Sequence, residues 1–346
     1  SSSNETGLNL RCVMQLIAIP NDFEDAVAYA LAARERTDEF VSSVLSRGLD
    51  KVVLVGCGGS HFGMYPSFDL LDRHLPGTSV THISSAELTA RRPVGLTDRS
   101  LVIAASHSGN TPETLAAAEY AKALGATVVG ISRSGDNGLS RVGDIHLDYP
   151  DTITITEPKL VHNHQIALSL LEQSGAEQVA RPIREAMHAL PVALRTTKEE
   201  VAEVAEKVCS IVEGAPVTFV AGAGPAFGMA KMTAWCYMME MLWMKAAAIN
   251  GADFFHGPLE MVMQDTPLLA LLAEDPTRAL GERVVSFASQ HTSSFAAIDT
   301  ADLTLPGVPA EARGELSTLA LFSATRRVLD HIAARVRHDT SQRRYM

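Results

Sequence analysis

Residues 51–64 read KVVLVGCGGSHFGM and residues 218–229 read TFVAGAGPAFGM. Each is an apolar run, a glycine turn and the opening of a helical stretch. Short valine-rich runs closed by glycine read as strands buried on both faces, where no polar alternation is needed. Outward from the first stretch, SVTHI (79–83), SLVIAAS (100–106), TVVGIS (127–132) and DIHLDY (144–149) alternate with helical segments after Gly63 and over 112–124. That alternation predicts an α/β unit, a parallel sheet covered on both faces by helices, ending near Tyr149. Outward from the second stretch come PLLALLA (267–273), a helix over 277–289, SFAAID (294–299), ADLTL (301–305) and a last helix over 310–337. The two glycine stretches align with one gap, which supports an internal duplication; a shared need for glycine at any strand-to-helix turn is the plainer account.

Between these units, residues 151–214 read as helical after the DTITIT lead-in, chiefly over 159–173 and 184–213. Ahead of them, 1–7 read as a disordered start, and 8–19 and 23–45 as helices, the second with Asn21 as a cap candidate. The domain expectation is an N-terminal helical segment 1–45, a first domain 46–175, a helical connection 176–214, a second domain 215–337 and a tail 338–346.

A length of 346 residues suits about two domains. With 46% hydrophobic and 20% charged residues the composition is that of a globular protein, and a net charge of −11 with no basic run argues against nucleic acid and anionic membrane as partners. Cys12, Cys57, Cys209 and Cys236 are scattered without CxxC spacing, so neither a zinc site nor a disulfide framework is expected, and a reducing cytoplasm is the simplest compartment. The apolar run 10–19 is broken by Arg11 and too short to span a bilayer.

SHSGNTPET, residues 106–114, follows an apolar strand and opens a helix. Ser106, Ser108 and Thr111 supply hydroxyl donors, Gly109 allows close backbone approach, and the helix start presents unpaired N–H groups, which together make a phosphate cradle. Gly58, Gly59 and Ser60 end the preceding strand, where Ser60 adds a donor. Helix capping is the bland reading of such hydroxyls. The matching place in the second half, LLAEDPTRAL, has Glu274 and Asp275 instead, so no phosphate is expected there. Gly56, Gly58 and Gly63 approach a GxGxxG dinucleotide fingerprint, but the third glycine falls late. Glu240, inside MMEMLW, has apolar neighbours along every helical face, so desolvation is expected to disfavour its charged form and suit it to a general base. His256, in FFHGPLE, sits on a turn fixed by Gly257 and Pro258, from which an imidazole can face a ligand. The plainer alternatives are a Glu paired with a basic residue and a surface His.

With these motifs, CGGS, SHSGNT and Glu240 sixteen residues before HGP, the chain resembles the tandem SIS (sugar isomerase) domain proteins, nearest the fructosamine-6-phosphate deglycases and the isomerase half of glucosamine-6-phosphate synthase. The resemblance implies two doubly wound, flavodoxin-like SIS domains. It also implies that Ser60, Ser106, His107, Ser108 and Thr111 hold a sugar phosphate, that Glu240 moves a proton between C1 and C2, and that His256 acts as acid or base. A homodimer with sites at the subunit interface is implied too, with no cofactor and no metal. Glu157 falls where relatives carry a substrate-contacting acidic loop; His162 and His164 read as ordinary helix residues. No amidotransferase stretch precedes the sugar domains in this sequence, and the tail TSQRRYM resembles the deglycase tail and lacks the synthase lysine. The expectation is a deglycase cleaving a 6-phosphorylated fructosamine to hexose 6-phosphate and an amine, with an aldose–ketose isomerase, an aminosugar-phosphate deaminase or a non-catalytic sugar-phosphate sensor as alternatives.

Overall fold

The computed structural model describes residues 15–150 and 156–346. Two short helices open the described chain, α1 (Phe23–Leu31) and α2 (Arg34–Ser46). One helix over 23–45 was the expectation; a turn at Ala32 and Ala33 splits it, so that both halves lie on a later helix. Asn21 is not its cap: Asp22 occupies that place, without a side-chain capping bond. Of the helix expected over 8–19, residues 8–14 lie outside the described residues, and 15–19 have no regular structure ahead of Pro20.

The first sheet is built from β1 (Lys51–Gly56), β2 (Ser79–Ser84), β3 (Ser100–Ala105), β4 (Thr127–Arg133) and β5 (Ile145–Tyr149), with α3 (Gly58–Phe62), α4 (Tyr65–His74), α5 (Ser85–Arg91), α6 (Pro112–Ala123) and α7 (Gly138–Val142) between them. All its pairings are parallel and the order is β2-β1-β3-β4-β5. The order in which strands are added reverses between β1 and β3, where Gly56 stands opposite Ala105. In an open parallel sheet this switch point leaves a crevice at the carboxyl ends of the strands.

Helices α8 (Glu157–Gln173), α9 (Glu177–Ala186), α10 (Leu190–Glu200) and α11 (Ala202–Val212) follow. The helix expected over 184–213 is broken by a 3₁₀ turn at Met187–Ala189, after which Pro191 starts a fresh helix, and again at Val201. DTITIT lies almost wholly outside the described residues.

The second sheet, β6 (Thr218–Gly222), β7 (Ala246–Asn250), β8 (Leu268–Leu272) and β9 (Phe295–Asp299), is also parallel, in the order β7-β6-β8-β9. Helices α12 (Pro225–Lys231), α13 (Arg278–His291) and α14 (Ala310–Val336) surround it. Two sequence expectations fail in this half. ADLTL is not a strand: Arg313 takes the carbonyls of Thr300, Leu303 and Thr304, which removes that backbone from any ladder. The apolar helix after Gly224 becomes a π-helix over Met232–Met241, and the unforeseen strand β7 then pairs with β6 from Thr218 opposite Ala246.

Both sheets share one apolar core, threaded by α8 and α14. These two helices are buried on nearly every face, which is why neither shows a sharp polar stripe. Among the described residues no helix is long and apolar enough to cross a membrane.

Candidate active site

Two loops meet at the crevice of the first sheet. After β1, Gly58 adopts φ of +50°, and α3 begins at once, carrying a buried Ser60. After β3, the Ser106 hydroxyl lies 2.8 Å from Thr111 Oγ1 and 3.4 Å from Ser108 Oγ, and it accepts the Gly109 amide at 3.1 Å. Gly109 has φ of +70°, and a Cβ there would stand 2.0 Å from Asn137 Oδ1, so no larger residue fits the turn without moving Asn137. His107 turns away to Tyr149, its Nδ1 3.1 Å from the phenol oxygen. Thr114 of α6 donates to Cys57 Sγ at 3.7 Å, tying the two loops together. The hydroxyl cluster foreseen at 106–111 is thus assembled, with Gly58, Gly59 and Ser60 on the neighbouring loop; His107 sits with it but engages Tyr149.

Glu240 lies near the end of the π-helix and lines a cavity of about 480 Å³ with Trp235, Met239, Trp243 and the tail residues Arg343 to Met346. The fully apolar setting expected for it is not found. Its side chain keeps 31% exposure, and Arg343 donates to its Oε1 through Nε at 3.0 Å and pairs with it through Nη2 at 3.0 Å. The reason is long-range: the cation comes from the tail, beyond any local helical neighbour. His256 lies exposed on the turn after β7, where its amide donates to the Asp253 carbonyl at 2.9 Å. It is not among the residues lining the Glu240 cavity, so the single chain does not bring the two together.

Residues 48–156 match the SIS domain family. The matched residues span the whole first sheet, β1 to β5. The chain is 29% identical over 309 residues to a fructosamine deglycase of Bacillus subtilis, covering 89% of this chain and 94% of that protein. It is 26% identical over 264 residues to a fructoselysine 6-phosphate deglycase of Escherichia coli, covering 76% and 77%. A crystal structure from Bacillus subtilis, assigned provisionally as a phosphosugar isomerase, superposes with a TM-score of 0.84 at 28% identity over 92% of this chain and 98% of that one.

Outside the first sheet's crevice, Glu157 departs from the expectation of substrate contact. It is fully buried at the start of α8, paired with Lys198 at 2.7 Å and accepting from Ser323 at 2.9 Å and from the Thr156 amide at 3.0 Å. Burial opposes its charge, but the Lys198 ammonium and these donors hold the carboxyl below its usual range. His162 and His164 are indeed interior helix residues, bonded to the Asp148 carbonyl and to Ser67 Oγ, and burial pushes each pKa down to about 4.

The corresponding crevice of the second sheet is filled. Arg313 pairs with Glu274 at 2.7 Å, Asp275 accepts from the Thr277 amide and hydroxyl, and Thr277 packs on Gly224, where a Cβ would stand 2.5 Å from its Oγ1.

Sequence reading missed three residues around the first sheet's crevice. Asn137 backs Gly109, and its side-chain Oδ1 accepts the Ser140 amide in a capping box. Asn110 Oδ1 accepts the Gly138 amide at 2.8 Å, fixing the loop to α7. Lys159 donates to Ser60 Oγ at 3.0 Å from a fully buried position. The Asn137-x-x-Ser140 spacing was a readable capping signal; nothing local distinguishes Lys159 from a solvated helix lysine.

Proposed function

We propose that this protein is an enzyme that cleaves a 6-phosphorylated fructosamine to a hexose 6-phosphate and an amine, within a tandem pair of SIS domains over about 46–175 and 215–337. The observation that carries the reading is the pairing of a hydroxyl-rich loop with a glycine loop at the first sheet's switch point, where Gly56 faces Ala105. Ser60, Ser106, Ser108 and Thr111, with the backbone amides at the start of α6, grip the phosphate. His107 and the Gly58 and Gly59 backbone border it. The named deglycases, similar over most of the chain, support a substrate that already carries nitrogen.

Glu240 takes a proton from C1 of the open ketosamine, giving an enaminol; the proton returns at C2, leaving an imine at C1. Water adds to that carbon and the amine departs. His256 serves as acid or base for the leaving group and reaches the site from a second copy of the chain in a homodimer, since in its own copy it does not line the Glu240 cavity. The substrate's nitrogen and carbonyl delocalise the charge, so the scheme calls for no cofactor.

The test is product analysis with fructoselysine 6-phosphate, other phosphorylated Amadori compounds, glucosamine 6-phosphate and fructose 6-phosphate. Release of glucose 6-phosphate and free amine is expected from the Amadori compounds. Glu240→Gln should cost about 10²- to 10⁴-fold in kcat, the usual worth of a general base, while glucose 6-phosphate still binds. Retained turnover overturns the assignment of the base, and binding without turnover of any substrate favours a sensor.

A further inference from the structure

Lys159 stands at the third position of α8 with its side chain wholly buried, and Ser60 Oγ, 3.0 Å away, is the hydrogen-bond partner of its ammonium. The nearest acid in sequence, Glu157, is engaged by Lys198. A buried ammonium without a carboxylate partner is costly, and such groups are concentrated at sites that handle charge. Here the cation lies behind Ser60, on the glycine loop that shares the crevice with Ser106 and Thr111.

We propose that Lys159 is a positioning residue for anion capture: by donating to Ser60 Oγ it leaves that hydroxyl's own proton free to point into the crevice toward the bound phosphate. The inference rests on the sugar-phosphate reading of the crevice. Chained donors of this kind strengthen one another when one member is charged. Among the described residues, the faces around Lys159 offer no competing anion. From the π-helix, Cys236 approaches, its thiol pushed up to about 12 by burial, chiefly, and by Glu240; Glu240 itself is held by Arg343. From α3, His61 lies on His82, and burial brings its pKa to about 4. On α8, His162 and His164 are neutral for the same reason. From α14, Ser323 faces Glu157, and Arg326 pairs with Asp330. Burial lowers the Lys159 pKa to about 8, with Cys236 acting in the opposite sense. The ammonium is therefore present below about pH 8 and lost above it, whereas a phosphate monoester is already a dianion by pH 7.

Calorimetric titration of the full chain with glucose 6-phosphate from pH 6.5 to 9.5 tests this, with thermal unfolding recorded for each variant. Affinity of the wild type should fall about tenfold as pH rises through the lysine's titration, the scale of one lost charge-assisted bond. Lys159→Met should bind about tenfold more weakly at pH 7 with no such fall, and Ser60→Ala should also lose the fall, with the double variant no weaker than Lys159→Met alone. Lys159→Met binding within about twofold of wild type, or a pH-dependent fall that survives in Ser60→Ala, overturns the proposal. Should Lys159→Met not fold, the comparison of wild type with Ser60→Ala decides. A wild type that binds no glucose 6-phosphate at pH 7 instead overturns the sugar-phosphate reading itself, and the inference with it.

Discussion

Glu157 and Lys198 put a carboxylate and an ammonium 2.7 Å apart in the interior between α8, α10 and α14. Such a pair adds little over an apolar replacement, but breaking it strands a buried charge. Lys198→Met should therefore cost about 3–5 kcal/mol in urea denaturation, and Glu157→Gln with Lys198→Met together markedly less. Arg343 and Glu240 are the contrasting case. With side-chain exposures of 25% and 31%, their pair is worth about 0–1 kcal/mol, so Arg343→Ala should leave stability within about 1 kcal/mol of wild type, and an incoming substrate can displace the arginine. Composition along a helix did not reveal either environment. Glu240 looked dry because its sequence neighbours are Met, Leu and Trp; Arg343 is 103 positions away. Glu157 was expected to contact substrate from the family resemblance alone; its partners Lys198 and Ser323, 41 and 166 positions away, leave no local sign of an interior ion pair.

The inner strands β1, β3 and β4 were legible because parallel strands buried on both faces are continuous apolar runs, and the runs expected for the edge strands β2 and β5 also fall in place. The strand β7, AAAIN, was not: alanine has little preference for strands, and its pairing with β6 decides the outcome. Nor does any local signal mark the switch from α12 to the π-helix, whose wider hydrogen-bond spacing sets Cys236 against the glycine loop and Glu240 into the neighbouring cavity. The SHSGNT loop was read correctly as a strand-to-helix hydroxyl turn, and its geometry makes a sharp demand. Gly109→Ala must accommodate both a left-handed φ and a clash with Asn137, a strain of about 1–3 kcal/mol, and should weaken glucose 6-phosphate binding by about tenfold or more in calorimetry while leaving helix content by circular dichroism unchanged.

Across the whole molecule, buried neutral histidines set the acid limit of stability. His162 and His164 have pKa values near 4 in the fold, against about 6.5 unfolded, so the unfolded chain binds their protons first. Their contribution is complete above about pH 6.5 and is lost as pH falls toward 4, about 3 kcal/mol for each, which urea titrations at pH 7, 5.5 and 4.5 would register. The proposed homodimer makes its own prediction. If His256 completes the Glu240 site of the other copy, mixing and reassembling Glu240→Gln with His256→Ala should restore roughly a quarter of wild-type turnover, since half the dimers are mixed and each has one intact site. No recovery would return both residues to a single copy.

The plugged crevice of the second sheet bears on counting. A chain whose two sheets share one order over four strands offers two equivalent places for an anion, yet Arg313, Glu274 and Thr277 already stop one of them. Saturation is accordingly expected at a single equivalent of hexose phosphate per polypeptide, and opening the second place would take several coordinated replacements, since removing Glu274 alone would leave Arg313 an unmatched cation and Thr277 still seated against Gly224.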